Sequence, residues 1–207
     1  MVMALVDSDG QNRIAAAIAA AEHKTSGEIV AVVAADSSSY LHVPFMWAAL
    51  IALAVPWPFI HFTWMTVQSI WLLQLLVFVV LLAITIYRPI RFALVPPSTK
   101  RLRAHRRAVE QFLAQNMHTT EGRTGVLVFV SVAERYAEIL ADSGIHKKVR
   151  EAEWQGIVDA LTAAIGEGRA ADGFVAAIDA IGAKLAQHFP PGSADPSRLP
   201  NHLIVLE

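Results

Sequence analysis

Two long stretches of the sequence contain no Asp, Glu, Lys or Arg. They cover residues 45–62 and 67–86, and a short link at residues 63–66 separates them. A helix needs roughly 17–25 mostly apolar residues to cross the hydrocarbon core of a bilayer, so each stretch is long enough to span it. Because so short a link favours two neighbouring helices, the sequence predicts a transmembrane helical hairpin at residues 43–88.

The overall composition agrees with a membrane segment. Hydrophobic residues make up 55% of the chain and charged residues only 17%, against about 25% charged residues in soluble proteins. Two alternatives to a simple hairpin stay open. Pro56 and Pro58 are compatible with a kinked or re-entrant first helix, because proline removes a helical hydrogen bond. The other alternative is a buried helical pair, although a chain of this size has little core in which to hide one.

Basic residues after the second stretch predict how the hairpin is oriented. The link carries no Lys or Arg, so the excess of positive charge places both ends of the chain in the cytoplasm. We therefore predict a multi-pass protein of the cell membrane with a cytoplasmic soluble domain. The basic run either contacts anionic lipid head groups or forms a solvated helix face. It consists of Arg88, Arg91, Lys100, Arg101, Arg103, Arg106 and Arg107.

The residues on either side of the hairpin predict a small α/β domain. Residues 28–34 and 126–132 are almost wholly apolar and rich in β-branched side chains, as expected of strands covered on both faces. Residues 136–141 alternate and predict a partly exposed third strand, with Tyr136 and Glu138 on one side. Helices are predicted at residues 12–22, 99–116, 154–165 and 170–188, and in the second of these Leu102, Val109, Phe112 and Leu113 can share one face.

This order of elements predicts an α/β fold with a small mixed sheet of three or four strands flanked by helices. The two-helix transmembrane hairpin is then an insertion after the first strand. The predicted organisation is a first part of the α/β domain at residues 1–42, the hairpin at 43–88, the second part of the domain at 89–192 and a C-terminal tail at 193–207.

Strand ends are where a site is expected in such a sheet, because ligands bind beyond the carboxyl ends of strands. Asp36, Glu134 and Asp142 follow the three predicted strands and are candidate ligands for Ca²⁺ or Mg²⁺, which prefer hard oxygen donors. The alternative interpretation is that these acidic residues form turns, and that Glu134 and Arg135 make a structural ion pair. No cofactor is firmly implied.

Several enzyme classes find no support in the sequence. Cysteine is absent, so the chain has no thiol nucleophile or thiolate metal site. The eight histidines are scattered without the paired spacing of a zinc site. The serines at positions 37–39 lack the GxSxG context of a hydrolase nucleophile. No catalytic residue can be assigned, and a net charge of -1 predicts no nucleic-acid partner.

Three segments together resemble the TPM domain family. They are residues 18–33 (IAAAEHKTSGEIVAVV), residues 125–143 (GVLVFVSVAERYAEILADS) and residues 154–189, at whose end the sequence reads LAQHFP (residues 185–190). The family includes thylakoid-lumen proteins with acid-phosphatase activity and many bacterial membrane proteins of unknown role. The resemblance implies an α/β sandwich with calcium or phosphate near the strand ends, where Glu134, Arg135 and Asp142 match similar residues of the family.

Two functions follow from these observations. The absence of an assembled catalytic set favours an interaction or assembly module at the cytoplasmic membrane face, with the lipid bilayer and another membrane protein as partners. The alternative is a divalent-metal-dependent phosphatase like the acid phosphatases of the TPM family. In that case Glu134 or Asp142 would bind the metal, and Arg135 would hold phosphate through a bidentate contact.

Overall fold

The computed structural model describes residues 5–120, 122–191 and 201–206. It divides the chain into two compact units, one formed by residues up to 37 together with those from 101 onward, and the other by residues 38–100. The elements in chain order are α1 (Ser8–Glu22), β1 (Glu28–Ala34), α2 (His42–Ala54), α3 (Pro56–Phe62), α4 (Val67–Ile86), α5 (Arg88–Leu94), α6 (Pro97–Ala114), β2 (Gly125–Ser131), β3 (Tyr136–Ala141), α7 (Ser143–His146), α8 (Glu151–Gly166), α9 (Ala170–His188) and β4 (Ile204–Leu206).

The first unit is built on a mixed four-stranded sheet in the order β3-β2-β1-β4. β1 is parallel to β2 and to β4, whereas β3 is antiparallel to β2. The α/β class and the mixed sheet predicted from the sequence are confirmed. The fourth strand comes from residues 204–206, within the segment predicted as a tail, and it pairs with the edge of β1 that β2 leaves free. Residues 193–200 and residue 207 of that segment lie outside the described residues.

Both faces of β1 and β2 are buried, which explains their continuous apolar runs. On one face, Ile29, Ala31 and Val33 pack in a core cluster with the helices α1, α8 and α9. On the other face, Val30 and Val32 pack in a second cluster to which α6 and the short 3-10 turn after it contribute. The sheet is therefore the middle layer of three.

Glycines permit close contacts among the three helices on the first face. A Cβ atom added at Gly182 of α9 would lie 2.7 Å from the Cβ of Ala21 on α1, and one added at Gly173 would lie 2.8 Å from the Cβ of Ala164 on α8. Cβ atoms do not approach so closely in folded proteins. These two glycines therefore set the spacing of α9 against both of its neighbours.

The helix α6 packs differently from the pattern expected of its apolar residues. Its buried positions are Ala104, Ala108 and Gln111, and Phe112 packs at the edge of the second core cluster. The other three residues predicted to share a face with Phe112 are exposed. They are Leu102, Val109 and Leu113.

The second unit is mainly helical and contains both apolar stretches. α2 and α3 together form an apolar segment over His42–Phe62, with a break before Pro56, and α4 forms the other over Val67–Ile86. Phe45 of α2 contacts Phe78 of α4 edge to face, with ring centroids 5.7 Å apart. Both apolar segments are long enough to cross a membrane, by length and composition.

Candidate functional site

The carboxyl ends of β1 and β2 bring together three polar side chains, Ser37, Ser131 and Glu134, which we call the strand-end cluster. The backbone N–H of Ser37 donates to Oε1 of Glu134 at 3.0 Å, and the hydroxyl of Ser37 donates to Oγ of Ser131 at 2.9 Å. The hydroxyl of Ser131 in turn donates to Oε2 of Glu134. These bonds join the loop after β1 to the turn after β2.

The turn after β2 places Glu134 over the end of β1. The N–H groups of Val132 and Ala133 donate to the carbonyl oxygens of Ala34 and Ala35, which continues the pairing of the two strands beyond Ser131. Arg135 closes the turn in a left-handed conformation, with φ of 51°. Such a conformation costs roughly 1–2 kcal/mol for a residue other than glycine, and the hydrogen bonds around the turn offset this cost.

In the strand-end cluster, the carboxylate of Glu134 has its hydrogen-bond donors within the protein itself. Both oxygens of Glu134 accept hydrogen bonds from the chain, and Ser131 is completely buried. Asp36 lies half-buried beside the cluster. Within the described residues, no group of three or more His, Asp or Glu side chains is arranged to hold a metal ion. The metal roles of Asp36 and Glu134 and the phosphate role of Arg135 stay predictions.

The third candidate ligand, Asp142, lies at the other end of the sheet. β3 is antiparallel to β2, and the N–H of Asp142 donates to the carbonyl oxygen of Gly125 at the start of β2. The length of β2 at about 3.3 Å per residue places Asp142 about 20 Å from the strand-end cluster. The structure therefore brings Asp36 and Glu134 to one edge but does not bring Asp142 to them.

Asp142 has a local structural role where it lies. Its Oδ1 accepts a hydrogen bond from the backbone N–H of Ser143 at 2.6 Å and caps the start of α7. Arg123 approaches its Oδ2 at 4.0 Å. The turn-forming interpretation of the acidic residue thus describes its observed contacts.

A second polar cluster, which sequence reasoning missed, connects α6 to β3. Nδ1 of His105 lies 2.9 Å from Oε1 of Glu138, and the hydroxyl of Tyr136 donates to Oε2 of the same carboxylate at 3.0 Å. Burial of the Tyr136 ring, followed by the negative charge of Glu138, raises the pKa of Tyr136 well above its usual range. We call these three residues the α6–β3 cluster.

The alternating pattern of β3 predicted part of this cluster, because it placed Tyr136 and Glu138 on the same side of the strand. The contribution of His105 depends on how α6 packs over the sheet, and no local pattern encodes that packing.

Comparison with known proteins finds a match to a family model over part of the chain. Residues 88–184 match the family model described as the TPM domain. This protein carries a TPM domain. The match spans α6, β2, β3, α8 and most of α9, so the TPM domain includes the α6–β3 cluster and, apart from Ser37, the strand-end cluster. The resemblance predicted from the sequence is confirmed.

A solved structure with the same fold extends the comparison beyond the TPM match. The NMR structure of the BA42 protein from the psychrophilic bacterium Bizionia argentinensis aligns with a TM-score of 0.61 at 20% sequence identity. The alignment covers 97% of this chain and 94% of the BA42 chain. At this identity the similarity concerns the fold alone. No curated protein matches the sequence.

Proposed function

We propose that this protein is anchored in the cell membrane by the hairpin of α2–α3 and α4, and that its TPM domain serves as an interaction or assembly module at the cytoplasmic face. The observation that carries the proposal is the exposure of α4. Only 6% of its most apolar 18-residue window is buried inside the protein. An apolar surface of this extent needs a cover, because soluble proteins rarely expose large continuous apolar patches.

The dimensions and local chemistry of α4 support lipid as that cover. Its 20 residues correspond to about 30 Å of helix, the thickness of a bilayer core. The hydroxyl of Thr85 donates to the carbonyl oxygen of Leu81 at 2.6 Å, and at the start of the helix the hydroxyls of Ser69 and the N-cap Thr66 share a hydrogen bond of 2.9 Å. Internal satisfaction of this kind is what a hydrocarbon environment requires.

The distribution of basic residues supports a cytoplasmic TPM domain. Positive charges follow α4 closely, while the link between α3 and α4 carries none. Short loops rich in Lys and Arg stay on the cytoplasmic side during insertion.

The chain offers a direct test of anchoring and orientation, because it has no cysteine of its own. Met65→Cys in the link and Ala160→Cys on the exposed side of α8 create single labelling sites. We expect the protein to resist carbonate extraction from membranes. In intact cells a membrane-impermeant maleimide should label position 65 but not position 160, and both should react after permeabilisation. Carbonate release would refute anchoring, while labelling of position 160 alone in intact cells would refute the orientation.

The interaction role is supported by the contacts of the candidate site residues. Glu134 accepts hydrogen bonds at both oxygens, and Asp142 caps α7 at the opposite edge of the sheet. Through these contacts Glu134 and Asp142 support the fold of the TPM domain. An exposed and folded domain at the membrane surface is then available for contact with another membrane protein.

The two candidate functions, interaction module and phosphatase, can be distinguished by experiments on the full-length protein. For the protein in detergent we expect a phosphatase assay with Ca²⁺ or Mg²⁺ to show no turnover. For the protein in its native membrane, as a separate experiment, we expect short-range lysine cross-linking to give a discrete product of higher mass. Metal-dependent turnover that is lost in both Glu134→Ala and Asp142→Ala would replace the module with the phosphatase.

A further inference from the structure

The outer side of α6 carries a narrow line of aliphatic side chains. Leu102, Val109 and Leu113 are exposed by 52%, 38% and 52%. At 100° per residue, these three positions fall within about 20° of one line along the helix. We call this line the α6 stripe. It lies opposite Ala104 and Gln111, which are buried, so α6 has one apolar side against the sheet and another directed outward.

Basic side chains lie along one side of the α6 stripe. The helix contains five Lys or Arg residues and one acidic residue, Glu110, which gives a formal charge of +4 with His105 neutral. Arg106 is exposed and lies beside the stripe on the helical wheel, while Arg107 pairs with Glu110 at 3.3 Å. A helix with an exposed apolar line, basic residues beside it and a net positive charge has the chemistry of a segment that lies in a membrane interface.

The position of α6 in the chain brings it near a bilayer if the hairpin spans one. Ile86 ends α4 and Pro97 begins α6, so a short segment containing α5 is all that separates them. Tethering on this scale gives the helix a high effective concentration at the lipid surface. Even a modest attraction to lipid is then sufficient to keep α6 there.

We propose that α6 docks on an anionic lipid surface, with the α6 stripe among the upper acyl chains and the arginines on the phosphate groups. This inference rests on the proposed membrane anchoring and deepens it, because it assigns a lipid-binding face to the TPM domain. The opposite charges of arginine and anionic lipid favour this occupant over a second copy of the chain, whose own α6 would carry the same positive charge.

The absence of native cysteine makes the test specific. Leu102→Cys, Val109→Cys and Leu113→Cys are each labelled with an environment-sensitive fluorophore, and the full chain is reconstituted in vesicles of phosphatidylcholine with or without phosphatidylglycerol. Ala160→Cys on α8 is the matched control, because it is an exposed aliphatic position on the other side of the sheet. Circular dichroism and vesicle flotation confirm that each variant is folded and inserted.

We expect blue-shifted emission and protection from aqueous iodide at all three stripe positions in vesicles that contain phosphatidylglycerol. Position 160 should report water in both kinds of vesicle. The double charge reversal Arg103→Glu with Arg106→Glu should abolish the shift, and high salt should weaken it because it screens the attraction.

Two outcomes would overturn the lipid-binding face while leaving the anchor intact. In the first, the protein floats with the vesicles but the stripe positions report water. In the second, the stripe is shielded equally in both lipid compositions and more strongly as protein density rises, which would identify a second copy as the occupant. Failure of the protein to float would refute the anchoring proposal itself.

Discussion

At the scale of single residues, the strand-end cluster shows how a candidate ligand becomes part of the fold. Ser131 is completely buried and donates to Glu134, which also accepts from the backbone of Ser37. A hydroxyl such as that of Ser131 is costly to bury unless it is hydrogen-bonded, and the half-buried carboxylate of Glu134 accepts its hydrogen bond. The cluster therefore stabilises the junction of β1 and β2, whatever else binds there.

Replacing Ser131 by alanine tests that structural role. The change removes a buried hydroxyl that donates to the charged carboxylate of Glu134, and a hydrogen bond to a charged group contributes about 1.5–3 kcal/mol. We expect a loss of this size in the free energy of unfolding, measured by chemical denaturation of the full chain in detergent. Thr162→Ala is the control, since it removes an exposed hydroxyl that bonds only within its own helix. Equal stability of the two variants would contradict a structural role for Ser131.

The raised pKa of Tyr136 gives a pH prediction with a definite sign. Burial and Glu138 favour the neutral phenol in the folded protein, so the folded state holds its proton more tightly than the unfolded state does. Its contribution to stability is complete below the ordinary tyrosine pKa of about 10 and is lost as the pH rises through the higher pKa of the folded protein.

We expect Tyr136→Phe to flatten the decline of stability above pH 10. At neutral pH the same variant should be less stable by about 1 kcal/mol, because it lacks the hydrogen bond to Glu138. Thermal unfolding across the alkaline range measures both effects. Parallel pH profiles for the variant and the parent protein would show that Tyr136 does not carry this dependence.

The positions of the candidate site residues were only partly readable from the sequence. Asp36 and Glu134 follow strands that are parallel, so the rule that strands end at a common edge placed them correctly. The same rule failed for Asp142, because β3 returns antiparallel to β2 and ends at the opposite edge. The partnership of His105 with Glu138 required the packing of α6 on the sheet, and no nearby sequence pattern contains that information.

At the scale of elements, two glycines in helices should respond to alanine with opposite signs. Gly182 of α9 lies against Ala21 of α1, where an added methyl group would be 2.7 Å from a side-chain carbon. Gly156 of α8 is exposed, and an added methyl group there meets nothing within 4 Å. The two positions therefore separate the effect of packing from the effect of helix propensity.

We expect Gly156→Ala to raise the free energy of unfolding by up to about 1 kcal/mol, because alanine is the better helix former. Gly182→Ala should lower it, since overpacking typically costs about 1–3 kcal/mol and outweighs the gain in propensity. Denaturant midpoints with unchanged slopes provide the measurement. A stabilising Gly182→Ala would mean that α1 and α9 do not approach as closely as described.

The same scale shows which elements the sequence can predict. The bounds predicted for β1 and β3 agree with the structure, because burial on two faces and alternation on one each leave a clear pattern. β4 is too short to give such a pattern and depends on pairing with a distant strand. α6 was interpreted from its larger aliphatic residues, although the protein buries Ala104 and Ala108 and leaves Leu102 exposed.

At the scale of the whole molecule, β1 and β2 are adjacent in the sheet although the unit of residues 38–100 lies between them in the chain. Insertions of this kind are tolerated when the host domain keeps its own core. Here the two clusters that cover the sheet are formed by residues outside that unit.

Removing the unit should therefore leave a domain that folds alone. We expect a chain in which about 16 Gly/Ser residues replace residues 39–96 to be soluble, because the replacement removes both apolar segments and keeps all of α6. A linker of this length spans about 20–24 Å on average. Circular dichroism should show mixed α/β content, and denaturation should be cooperative.

Gly182→Ala in the shortened chain should lower the denaturation midpoint as it does in the full chain, which would show that the α1–α9 contact is preserved. A shortened chain without cooperative unfolding, tested also with a linker twice as long, would mean that the sheet needs residues 39–96 to form.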